Sequence, residues 1–112
     1  KKGICEIKRG PAGLTLIHRK VYEQLMAKHP ELHIKNYSAI SEDAAKYLYN
    51  FWETEFKDNI WIGEDVKFCD LVKQAGFKFH AIVDGETTHY GTMGYKGKLI
   101  DTFKKTNGKT DA

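Results

Sequence analysis

Cysteine is scarce in this chain: Cys5 and Cys69 are the two in 112 residues. Neither lies in a CxxC pair or near a histidine at zinc-finger spacing, which argues against a disulfide framework and a structural zinc site. Buried free thiols in a reducing compartment are the expectation. No apolar run approaches the roughly 20 residues that cross a bilayer, and no signal-peptide core follows Lys1-Lys2-Gly3. The net charge is only +3, and the lysines are scattered instead of gathered into a block, so charge does not point to a nucleic-acid partner. A cytoplasmic protein with no transmembrane segment is expected. Repeats, low-complexity tracts and Ser/Pro-rich linkers are absent too, which suggests one domain or part of one.

What is present suits a folded domain. Apolar residues make up 41% and charged residues 29%, outside the composition of disordered chains. A chain of this length buries about two-thirds of its unfolded surface, enough for one modest core.

The pattern predicts a strand over Ile4–Lys8, a Gly/Pro loop at Arg9-Gly10-Pro11-Ala12-Gly13, and a second strand at Leu14–Ile17. Val21, Tyr22, Leu25 and Met26 mark one face of a helix over Arg19–Lys28, ended by His29-Pro30. Residues 31–45 have no steady period and are expected as loop. Residues 44–54 fit either a helical face or an aromatic strand. A turn at Lys57-Asp58-Asn59 precedes the most regular helix, which opens after Gly63, buries Val66, Phe68, Cys69, Leu71 and Val72, and stops at Gly76. Beyond it come a strand over Lys78–Val83, a turn at Asp84-Gly85 and an extended Thr87–His89. Tyr95–Phe103 has helical spacing, and residues 104–112 form a flexible polar tail.

Chemistry concentrates in two places. Glu64 and Asp65 occupy the first turn of their helix, where unpaired N–H groups and the dipole favour ionised carboxylates. Such a carboxylate can act as a general base, accept a hydroxyl hydrogen bond or ligate a metal. Acidic residues are favoured in any first turn, so this feature alone does not demand a function. His89 precedes Gly91-Thr92-Met93-Gly94-Tyr95-Lys96-Gly97-Lys98, a set of glycines, a hydroxyl, an aromatic and ammonium groups suited to a diphosphate. It matches neither the Walker pattern nor the dinucleotide fingerprint, and its glycines equally suit a mobile connection.

Four blocks in one order carry a resemblance: Ala12-Gly13-Leu14-Thr15-Leu16-Ile17-His18-Arg19, Phe51-Trp52-Glu53-Thr54, Gly63-Glu64-Asp65-Val66-Lys67-Phe68-Cys69 and His89-Tyr90-Gly91-Thr92. Together they resemble the C-terminal half of GT-A nucleotide-sugar glycosyltransferases of bacterial and phage type, over Ile4 to Phe103. The resemblance implies an α/β fold, a partial GT-A mixed sheet flanked by two or three helices, and decides residues 46–55 as a strand. It places the acceptor and metal-histidine part of the domain in residues 1–103. Asp65 or Glu64 would hold the acceptor hydroxyl or act as its base, and His89 would complete a Mn²⁺ or Mg²⁺ site on the donor diphosphate. Gly13 and Trp61 would flank the sugar beside Gly63, and Gly91, Tyr95 and Lys96 would close over the phosphates. The family's nucleotide-binding βαβ unit and Asp-x-Asp motif do not occur in this sequence.

The expectation is therefore a glycosyltransferase fragment, inactive alone, which in the intact enzyme transfers sugar from a nucleotide-diphospho-sugar to a hydroxyl acceptor. The divalent metal is expected only with the Asp-x-Asp half. A sheet stripped of neighbours exposes an edge that favours a homo-oligomer. The alternative is a non-enzymatic glycan- or protein-binding module using Trp52, Trp61, Tyr90 and Tyr95. A small metal-dependent hydrolase built on Glu64, Asp65 and His89 ranks third.

Overall fold

The computed structural model describes residues 3–106, with side chains as far as residue 103. They divide into two compact units, residues 8–79 and residues 3–7 with 80–106. The structure is α/β, with strands β1 (Ile4–Ile7), β2 (Glu55–Lys57), β3 (Ile60–Ile62), β4 (Phe79–Ile82), β5 (Glu86–Tyr90) and β6 (Gly94–Lys98). Its helices are α1 (Arg19–Lys28), α2 (Glu42–Ala45), α3 (Glu64–Gln74) and α4 (Leu99–Thr106). The strands of the described residues form three two-stranded sheets, β1 with β4, β2 with β3 and β5 with β6, in place of the single mixed sheet expected.

In the unit of residues 8–79, α1 and α3 form because their apolar residues repeat at helical spacing and meet in one core. Val21 and Leu25 of α1 pack with Phe68, Leu71 and Val72 of α3 and with Phe51, while Ile17, Tyr22, Met26, Tyr49 and Phe79 close around them. Burial of a side chain such as Leu25 or Phe68 is worth about 1.5–3 kcal/mol. The His18 imidazole caps α1 by accepting from the Lys20 N–H at 3.1 Å. The helix stops at His29, whose N–H reaches the Leu25 carbonyl before Pro30 opens a short 3-10 turn through Leu32. Gly63 caps α3 without a side chain, and Gly76 follows its end at φ +90°, a conformation that favours glycine.

Residues 46–54 do not form the expected strand. After the single turn of α2, capped by Ser41, the chain makes one isolated bridge, Tyr49 with His33. Two bonds frame it, Ile34 N–H to Leu48 O and Asn50 N–H to Leu32 O, both 2.9 Å. The aromatic residues that suggest a strand are used in packing instead: Phe51 is buried, and Trp52 stacks on Phe68 with ring centroids 3.9 Å apart. Regular pairing starts only at Glu55, where β2 and β3 form a hairpin with Glu55 opposite Ile62, Phe56 opposite Trp61 and Lys57 opposite Ile60. Its two turn residues, Asp58 and Asn59, have φ of 52° and 61°, the mirror-image turn that matches hairpin twist. Leu14–Ile17 also lacks a pairing partner among the described residues: Leu14 and Leu16 are 91% and 101% exposed, and only Ile17 reaches the core.

In the other unit, Gly3 at φ +82° accepts from the Val83 N–H at 2.9 Å, and the Val83 carbonyl accepts from Ile100 N–H at 2.7 Å. β5 and β6 are antiparallel, with His89 opposite Tyr95 and Tyr90 opposite Gly94. The expected glycine loop at residues 91–98 is thus a turn, closed by Gly91 N–H on Met93 O, followed by a strand. Helical structure begins at Leu99, not Tyr95, and includes residues 104–106 of the expected tail; residues 107–112 lie outside the described residues. Backbone pairing wins over residues 94–98 because neither hairpin strand buries side chains that could favour a helix.

Candidate functional site

The Gly/Pro loop lies along one side of α3, held at three points. Asp65 Oδ2 accepts from the Ala12 N–H at 3.1 Å, the Cys69 thiol donates to Gly10 O at 3.6 Å, and Arg9 donates twice to Asp70, at 3.0 and 2.7 Å. Asp65 and Cys69 are one helical turn apart, so the loop follows the helix from its mouth inward. The Arg9 hydrogen bond holds the Asp70 carboxyl below the usual carboxylate range despite an opposing contribution from burial. Lys67, from the same helix, donates to Glu55 of β2 at 2.6 Å and holds that carboxyl low as well.

These bonds gather several predicted site residues within one unit. Asp65 is half-buried, and the loop takes one of its two oxygens; Glu64 beside it is exposed. Gly63 caps the helix, its carbonyl accepting from Lys67 N–H at 3.0 Å. Gly13 is exposed, has no positive φ, and a Cβ there would meet nothing within 4 Å, so packing does not require its glycine. Trp61 is 68% exposed and tilts against Phe56 across the hairpin. A carboxylate at a helix mouth, fixed by a loop N–H, can orient and deprotonate a hydroxyl.

His89, Gly91, Tyr95 and Lys96 belong to the other unit, on the β5–β6 hairpin, and all four are exposed. His89 faces Tyr95 across the ladder, while the Lys96 ammonium is paired with Glu86 at 2.9 Å. Among the described residues no three His, Cys, Asp or Glu side chains gather as a metal site. Mn²⁺ and Mg²⁺ prefer several oxygen ligands, so the described residues do not supply a divalent-ion site around His89.

Arg19, Tyr22, Glu23 and Met26 of α1 line a cavity of about 490 Å³ together with Tyr47, Tyr49, Phe51 and Trp52. Burial pushes the Tyr22 phenol above its ordinary value, against a hydrogen bond with Trp52 that lowers it. The available signal was the density of tyrosine and tryptophan over residues 47–52, which reads equally as core or strand. No helix among the described residues is long and apolar enough to cross a membrane. No family model matches this chain, and neither a curated protein nor a solved structure matches it.

Proposed function

We propose that this chain is the acceptor-side part of a GT-A glycosyltransferase, which in the intact enzyme moves a sugar from a nucleotide-diphospho-sugar to a hydroxyl. The observation that supports this reading is the Asp65–Ala12 bond, which brings the glycine loop, Gly13 and the Gly63-Glu64-Asp65 helix mouth into one neighbourhood. Asp65 accepts a hydrogen bond from the incoming hydroxyl. In an inverting reaction it takes the proton as the oxygen bonds to the anomeric carbon and the nucleoside diphosphate leaves with the bonding electron pair. Glu64 adds negative charge at the same helix end, and Trp61 offers an aromatic wall. His89, Gly91, Tyr95 and Lys96 are assigned to the donor diphosphate, with the Asp-x-Asp part of the enzyme carrying the metal. A cytoplasmic location agrees with the free Cys5 and Cys69. Exposed sheet edges make a homo-oligomer part of the same reading.

The test uses the intact protein that carries these residues, a panel of nucleotide-diphospho-sugars with Mn²⁺ or Mg²⁺, and release of nucleoside diphosphate as the readout. Release that needs Asp65 supports the transferase. Release from no donor, or release indifferent to Asp65, removes it.

A further inference from the structure

We propose that the aromatic cavity between α1 and residues 47–52 binds a neutral pyranoside; its identity as the acceptor sugar rests on the transferase reading, whereas its binding does not. The volume, about 490 Å³, falls within the range of small-molecule pockets, roughly 300–1,000 Å³. Its walls are chemically selective. Met26 is the one aliphatic side chain on them, so an acyl chain finds few matching surfaces. Arg19 is the one cation among the lining residues, and it is already bonded through Nε to Glu23 Oε1 at 2.7 Å, so a polyphosphate would meet a carboxylate beside that guanidinium.

What remains is a set of braced aromatic platforms. Trp52 stacks on Phe68, Tyr49 stacks on Phe51 with centroids 5.3 Å apart, and the Lys46 ammonium lies 5.3 Å from the Tyr47 ring centroid. Tyr49 also meets His33, with ring centroids 5.0 Å apart, and all three rings line the cavity. A pyranose has an apolar C–H face that stacks on such rings and a rim of hydroxyls that needs polar partners. The Arg19–Glu23 bond leaves Glu23 Oε2 and the terminal guanidinium nitrogens outside that bond, one acceptor and several donors at the cavity wall. Tyr47, at 57% exposure, and Glu23 can be changed without opening the core.

The experiment takes the 112-residue chain with Trp61→Phe, so that Trp52 is its single indole, and titrates it with methyl glucoside, galactoside, mannoside and N-acetylglucosaminide. Trp52 fluorescence and saturation-transfer NMR report binding. The expected result is saturable millimolar binding of at least one glycoside, weakened about tenfold by Tyr47→Ala and about fivefold by Glu23→Gln. Lys57→Ala, an exposed change on the β2–β3 hairpin away from the cavity lining, leaves it unchanged. Binding of none of the four, binding indifferent to both cavity variants, or binding of adenosine in their place overturns the proposal. Glycoside binding without Asp65-dependent transfer in the intact protein removes the reaction and keeps the cavity. The converse removes the cavity alone.

Discussion

The two units of this chain are held together differently. Residues 8–79 contain Val21, Leu25, Phe51, Phe68, Cys69, Leu71 and Val72 as buried side chains, whereas Val83 is the one buried apolar side chain among the described residues of the other unit. The first is a side-chain core clasped by two helices. The second relies on strand pairing, a hairpin with both strands exposed and a few backbone bonds through Val83. A fixed carboxylate at a helix mouth and an aromatic cavity both belong to the packed unit, where neighbours restrict side-chain motion. The hairpin offers exposed groups whose order depends on backbone pairing.

Breaking the core should have the largest effect. Phe68→Ala removes the platform under Trp52 and a ring beside Tyr22, and is expected to cost about 3–5 kcal/mol in urea unfolding followed by Trp fluorescence. Val83→Ala, the corresponding change in the other unit, should cost about 1.6 kcal/mol, from two methyl-sized groups at about 0.8 each. Equal losses at the two positions would erase the contrast.

Glycine substitutions probe both units. Gly3 and Gly76 both have positive φ, but a Cβ at Gly3 would run into the Asp84 carboxylate, whereas at Gly76 it would meet nothing within 4 Å. Gly76→Ala is expected to cost about 1 kcal/mol from backbone strain alone, and Gly3→Ala about as much, since the exposed Asp84 side chain can swing aside. Hydrogen exchange should then separate the units directly, with β5 and β6 amides exchanging faster than those in the middle of α1 and α3.

Acid should act most gently, and mainly on the packed unit. Arg9 holds Asp70, and Lys67 holds Glu55, below their unfolded values. Because the folded pKa is depressed, each contribution is present above the unfolded pKa and fades as pH falls below about 4 through the folded value. Urea midpoints measured from neutral pH downwards should fall more steeply for the wild type than for Asp70→Asn, which has already lost part of that contribution. Parallel curves would remove the role assigned to the Arg9–Asp70 pair.

What could be read from sequence follows the range of the interactions. α1, α3, the Asp58-Asn59 turn and β4 are legible because apolar period, capping and turn chemistry act over a few residues. Residues 46–54 are not, since tyrosine, phenylalanine and tryptophan suit a strand and a helix-packing surface equally, and Phe68, fourteen positions or more away, decides between them. Strand β6 hides behind Gly94 and Gly97: it pairs by backbone and buries no alternating face, so it leaves no period to detect. Asp65 was recognisable as a chemically apt carboxylate, but its bond to Ala12, 53 positions earlier, required the fold. The aromatic cavity was illegible for the same reason, because its walls come from α1 and from residues 47–52.

The most direct measurement is sugar transfer by the intact protein carrying Asp65→Asn. Asparagine keeps a carbonyl oxygen able to accept the Ala12 N–H but loses the negative charge. The expected result is an unchanged melting temperature with transfer reduced about 10²–10⁴-fold. Transfer at the wild-type rate would show that Asp65 merely fastens the loop, and would contradict its assignment as the group that receives the acceptor hydroxyl.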